Sequence, residues 1–181
     1  NQFFVSLLND DERQFFKYDS ALLENGEVAI VWSEWRDPRG FSETKEIKLQ
    51  IVDIGDPNQS LEPIVVAGNF DFNQVRVMPI NNQKIGLIWR DPESDNSPVL
   101  QIYSLESKTL GTKIVLDPDT TIVGATDYLN AKVVANDLFF IDDGETIHLF
   151  ETNGDYRNSW DKVGDLAYIR GSASEYSDSS V

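Results

Sequence analysis

Short apolar runs, broken by Asn-Gly, Asp-Pro, Gly-Asp and Asp-Asp-Gly, succeed one another along almost the whole chain. Runs of this kind, rich in Val, Ile, Leu, Phe, Tyr and Trp between turn residues, predict β-strands joined by tight turns. The predicted strands cover residues 20–23, 27–32, 46–54 and 63–67, then 74–79, 84–89, 99–105 and 113–116, then 131–135, 138–141, 146–151 and 166–169. The third strand of each group alternates, as in Ile47-Lys48-Leu49-Gln50-Ile51, which predicts one buried and one wet face. The second is apolar on both faces, as in Val28-Ala29-Ile30-Val31-Trp32, and has to be covered on both sides. One helix candidate exists, residues 9–17, where Asn9 and Glu12 have capping-box spacing. It is too short to be stable alone, and a turn leading into a strand through Phe15-Phe16 fits equally well. Residues 171–181 hold one aromatic and no periodicity, so a flexible tail is expected.

The strand groups repeat. Asn25-Gly26-Glu27-Val28-Ala29-Ile30-Val31-Trp32 aligns with Asn82-Gln83-Lys84-Ile85-Gly86-Leu87-Ile88-Trp89 at an offset of 57. Trp-Arg-Asp-Pro occurs at Trp35 and again at Trp89, an offset of 54, as if three residues had been gained between Trp32 and Trp35. Leu49-Gln50-Ile51 recurs as Leu100-Gln101-Ile102 and Ile64-Val65-Val66 as Ile114-Val115-Leu116, at offsets of 51 and 50. A weaker third copy begins near Asn130. An offset that drifts along the unit is what insertions confined to loops produce. The expectation is one all-β domain over residues 1–170, in units of about 18–70, 71–125 and 126–170.

Four short antiparallel strands recurring every fifty-odd residues, with Trp32, Trp89, Gln50, Gln101 and their flanking turns, resemble the blade-like β-propeller repeats of large secreted bacterial surface proteins. The likeness spans about residues 18–155, and the third copy lacks both the tryptophan and the glutamine. It implies about three propeller-like blades, an extracellular or cell-surface setting and a binding, adhesive or scaffolding role. It carries over no catalytic residue. Three blades are too few for a closed ring, so either other chains or domains complete the array or the strands close as a sandwich or barrel.

Charge and composition narrow the partners. A formal charge of −16, from 31 acidic and 15 basic residues, repels a phosphate backbone, which argues against nucleic acid. The same surplus suits a well-solvated surface or recruitment of divalent cations. No cysteine is present, so disulfides and thiolate chemistry are excluded. No apolar run approaches the roughly 20 residues that span a bilayer, so membrane insertion through a helix is not expected. The chain starts at Asn1 rather than methionine, which points to processing or to a piece of something longer.

Candidate chemistry is sparse. The acidic turns at Asp91-Pro92-Glu93-Ser94-Asp95-Asn96, at Asp117-Pro118-Asp119 and at Asp142-Asp143-Gly144-Glu145 place carboxylates where a hard cation takes oxygen ligands, so Asp91, Glu93 and Asp95 are the Ca²⁺ candidates. None follows the EF-hand spacing. Trp35 and Arg36 are the candidate ligand-binding pair, since an indole beside a guanidinium stacks on a sugar or a peptide aromatic ring. Trp32 already fills the core position in that copy. The only histidine, His148, falls on the predicted wet face of its strand, and no Gly-x-Ser-x-Gly elbow accompanies it, so a surface role is expected. A non-enzymatic module that binds protein or carbohydrate is the leading expectation. A carbohydrate-active enzyme using paired carboxylates is the first alternative. The second is an assembly subunit whose segment Phe3-Phe4-Val5-Ser6-Leu7 adds a strand to a neighbour.

Overall fold

The structure, a computed structural model, describes residues 13–36, 44–56, 60–68, 75–94, 97–116, 130–135, 137–142 and 146–161. These form three antiparallel sheets, each from one stretch of chain. The first runs in the order β1 (Arg13–Leu22), β2 (Glu27–Arg36), β3 (Thr44–Asp53), β4 (Ile64–Gly68). The second runs β5 (Val75–Asn81), β6 (Lys84–Asp91), β7 (Ser97–Ser104), β8 (Thr109–Leu110), with β9 (Ile114–Val115) also paired to β7. The third runs β10 (Asn130–Ala135), β11 (Leu138–Asp142), β12 (Thr146–Glu151), β13 (Tyr156–Asp161). Among the described residues the only helical turn is a 3-10 turn at Pro92–Ser94, and no sheet closes into a barrel. The chain is therefore all-β.

The sheets stack face on face in chain order, because period-two side chains supply two apolar faces wherever a strand is apolar throughout. Ala29, Val31, Ile47, Leu49 and Ile51 of the first sheet share one core with Val75, Val77, Ile85, Leu87 and Trp89 of the second. The opposite face of the second sheet, with Met78, Ile88 and Leu100, shares another core with Phe139, Ile141 and Phe150 of the third. Gly86 allows the close packing on that side, since a Cβ there would lie 2.8 Å from Met78 Cε and 3.2 Å from Leu100 Cδ1. Nearby, Asp19 on β1 accepts a hydrogen bond from the Val77 amide of β5 at 3.0 Å, tying the first strands of adjacent sheets.

Strand pairing fixes which residues are equivalent. Glu27 pairs with Asp53, Lys84 with Ser104 and Leu138 with Glu151, and each sheet continues from that pair without a break between its second and third strands. In this register Trp32 corresponds to Trp89, and both are buried, at 4% and 1% exposure. The offset of 57 is thus the structural one. The second Trp-Arg-Asp-Pro match, at 54, aligns residues that the register does not: β2 and β3 simply run further than β6 and β7, carrying Trp35 and Arg36 past the shared part of the sheet.

Two expectations change. Within residues 9–17, those from Arg13 onward are strand, not helix, paired to β2 through Phe15 and Glu34 among others. Cross-strand pairing along ten residues outweighs a capping box that opens too short a helix. The fourth strand of the third sheet is Tyr156–Asp161. The segment 166–169 expected there lies outside the described residues, as does the tail at 171–181.

Candidate functional site

Two residues beyond each buried tryptophan, on the same face, stands a buried carboxylate. Glu34 is 2% exposed. Its Oε2 accepts the indole N–H of Trp32 at 2.9 Å, and its Oε1 accepts from Lys48 Nζ, which also pairs with Glu46 at 3.1 Å. Both oxygens of a carboxylate that water no longer reaches are therefore satisfied, one of them by a full charge, as burial of a charge requires.

Asp91 occupies the corresponding position after Trp89 and is also buried. Its Oδ2 accepts from Lys113 Nζ at 2.5 Å and from the Ser94 hydroxyl at 2.8 Å, while Glu93 reaches the same ammonium at 3.3 Å. Burial acts to raise the Asp91 carboxyl, but the hydrogen bonds from Lys113 and Ser94, with the lysine charge, outweigh it and hold the group below its ordinary range. The same contact to Asp91 raises Lys113 above the usual lysine range. Two of the three predicted calcium ligands, Asp91 and Glu93, are thus brought together, but around a lysine ammonium. The third, Asp95, lies outside the described residues, and so do Asp117, Asp119, Asp143 and Glu145. Among the described residues no group of three or more His, Cys, Asp or Glu is placed to hold a metal.

The repeated glutamine has a backbone partner in both copies. Gln50 Nε2 donates to the Leu61 carbonyl at 3.0 Å and Gln101 Nε2 to the Gly111 carbonyl at 2.8 Å, tying the third strands to the segments that lead into β4 and β9. Register puts His148 at the same position of the third sheet, opposite Ile141 and on the face of Phe150. His148 is 5% exposed, which corrects the wet-face expectation. The alternation was read one residue out of phase: Phe150 is the fully buried side chain, while Ile147 and Leu149 are only half-buried. The pairing offset, carried from Gln101, is the signal that identifies it.

Trp35 and Arg36 close β2, where Trp35 pairs with Gln14 and Lys45, and Arg36 with Arg13 and Thr44. The structure places their backbone at the far end of the longest strand pair and does not bring Asp91 or Glu93 into that pairing. Phe3 to Leu7 lie outside the described residues. A feature with no distinctive sequence signal is an open cleft of about 180 Å³ between the first two sheets, walled by Leu49, Ile51, Leu61, Ile64 and Tyr103. Exposed Glu62 and Lys108 complete its lining. Burial, with the nearby Glu27 charge, raises the Tyr103 phenol, which stays neutral.

No protein-family model matches the chain, and no curated protein matches it significantly. Among solved structures the chain is similar to a protein of unknown function from Dyadobacter fermentans DSM 18053, with 13% identity and a TM-score of 0.47. That match covers 83% of this chain and 38% of the other, so the chain spans well under half of the protein it resembles.

Proposed function

We propose that the chain is a non-enzymatic binding or scaffolding module whose three sheets are successive β-propeller-like blades, serving a secreted or cell-surface protein. One observation carries this: the polar residues that recur in the repeat bond to other parts of their own sheet unit. Gln50 and Gln101 clamp third strands to the segments before β4 and β9, Glu34 meets Lys48 of β3, and Asp91 meets Lys113, just before β9. Residues repeated for architecture leave a ligand surface to the positions that do not repeat, and Trp35 with Arg36, on the extension of β2, are such positions. The ligand expected there is a carbohydrate or a protein segment with an aromatic group, because both stack on an indole and a guanidinium.

Calcium enters this proposal in one form, as a competitor of Lys113 for Asp91 and Glu93. An ion at that loop has to displace the ammonium or share its carboxylates.

The test combines binding and turnover. The immobilised chain is screened on glycan and peptide arrays and, in solution, against chromogenic glycosides. The expected result is binding that weakens by about tenfold or more in Trp35→Ala and Arg36→Ala at unchanged melting temperature, with no turnover. Glycoside hydrolysis that disappears on substituting a pair of carboxylates would replace the module by an enzyme.

A further inference from the structure

The stack has two ends, and each carries one half of the interface that holds it together. Within the stack, every junction joins the same two surfaces. The first sheet presents Ala29, Leu49 and Ile51 to the second, all 3% exposed or less. The second presents the equivalent face, with Leu100 and Ile102, to the third. The receiving surface is equally regular: Val75 and Val77 of β5 meet the first sheet, and Ala131 and Val133 of β10 meet the second.

Carried one sheet back, the receiving positions are Tyr18, Ser20 and Leu22 on β1, paired to Trp32, Ile30 and Val28 as Val75, Val77 and Pro79 are to Trp89, Leu87 and Ile85. Tyr18 is 69% exposed and Leu22 67%, whereas Val75 is 1% exposed. Ile30, Trp32 and Val52, further across the same face, are buried, so the open strip lies along β1, the strand by which neighbouring sheets touch. Carried one sheet forward, the presenting positions are Phe140, Ile147 and Leu149 of the third sheet, which are only half-buried where Ala29, Leu49 and Ile51 are covered. Asn130, exposed, stands where Asp19 grips the Val77 amide, and Ser20 stands where Val77 does.

We propose that these ends join head to tail between copies: the open face of the third sheet in one copy packs on the β1 strip of the first sheet in a second copy, continuing the junctions within the chain. Exposed apolar side chains gathered on a strip whose equivalents are buried mark an interaction surface. The surface that matches it by register, as the internal junctions do, is the one the chain itself carries at its other end. The contact is heterologous, so two copies close into a six-sheet ring where the rotation permits, and otherwise longer assemblies form. This follows from the stacking alone and does not depend on the binding role proposed above.

The experiment is sedimentation velocity of the full chain up to about 200 µM, where a micromolar contact is populated. Wild type is expected to form dimers or larger species with rising concentration. Leu22→Glu and Leu149→Glu each put a charge into one side of the contact and are expected to sediment as monomers. Their equimolar mixture is expected to recover a dimer, because the first variant keeps an intact third-sheet face and the second an intact β1 strip. Circular dichroism and melting temperature confirm that both variants fold; Tyr18→Glu replaces Leu22→Glu, and Phe140→Glu replaces Leu149→Glu, where either does not. Wild type that stays monomeric, association that survives Leu22→Glu and Tyr18→Glu, or a mixture of folded variants that stays monomeric would each overturn the proposal.

Discussion

Trp32 and Trp89 share a place in the register but differ at the indole nitrogen. Glu34 is one methylene longer than Asp91 and reaches the Trp32 N–H, whereas among the described residues Trp89 Nε1 is buried with no partner. Truncating either tryptophan to Ala should cost about 3–5 kcal/mol in urea unfolding, the usual cost of emptying such a site. Phenylalanine separates them. Trp32→Phe removes a donor from a buried carboxylate, while Trp89→Phe removes an N–H that gained nothing from folding, so the first should be worse by about 1–2 kcal/mol. Gly154 is a second residue-level dependence. Its φ is +95°, and a Cβ there would lie 2.4 Å from Ile114 Cγ2, where the β12–β13 turn presses on the second sheet. Gly154→Ala combines a left-handed penalty with overpacking and should lower stability by about 2–4 kcal/mol, read from the same unfolding curves.

At the scale of the strands, position along the chain was legible and phase was not always. Second strands apolar on both faces announced double coverage, which the second sheet shows: β6 is buried from Ile85 to Asp91. Ile47-Lys48-Leu49-Gln50-Ile51 announced its face correctly. Thr146–Glu151 did not, because both parities of that strand carry apolar residues and its buried polar member, His148, reads as solvent-facing. Only pairing to β11 settles the phase, and pairing is a long-range property. Residues 13–17 were ambiguous for the opposite reason, a local capping pattern competing with a partner strand that no local window contains. The glutamine clamp is the element-scale prediction. Gln50→Ala and Gln101→Ala should each cost about 0.5–1.5 kcal/mol and raise amide exchange in the segments before β4 and β9, leaving β2 and β6 protected. A uniform rise in exchange across the sheet would show that the amide acts on the whole unit rather than on that junction.

Over the whole molecule, the two most buried carboxylates among the described residues, Glu34 and Asp91, each meet a lysine, because a charge withdrawn from water needs an opposite one. Trp35 and Arg36 stood out in the sequence through the second Trp-Arg-Asp-Pro and because Trp32 fills the core position, and the structure places their backbone on the extension of β2. The Asp91 turn was legible as acidic, but nothing in its own sequence points to Lys113, 22 residues downstream of Asp91. The pH dependence follows from that pair. Asp91 titrates below 3.8 in the folded chain, so its contribution is complete above that value and lost as pH falls through the lowered folded pKa. Lys113 titrates above 10.5, so its contribution is complete below that value and lost as pH rises through the raised one. Stability curves of wild type and Lys113→Met should therefore differ between these limits and converge beyond them. In Lys113→Met the carboxylates of Asp91 and Glu93 lose their ammonium, and Ca²⁺ should then stabilise more than NaCl at matched ionic strength, whereas in wild type the two salts should act nearly alike.

The buried carboxylates that follow Trp32 and Trp89 each meet a lysine, and the reading proposed above takes both pairs as structural. Urea unfolding of Glu34→Gln and Asp91→Asn tests it directly. A structural pair that loses its charge leaves a lysine unmatched, so Glu34→Gln should lose about 2 kcal/mol and Asp91→Asn, whose lysine is one-third exposed, about 1 kcal/mol. Charges retained for function behave in the opposite way, since removing them relieves desolvation and repulsion. Two variants as stable as wild type, or more so, would contradict the account and mark these positions as a functional site.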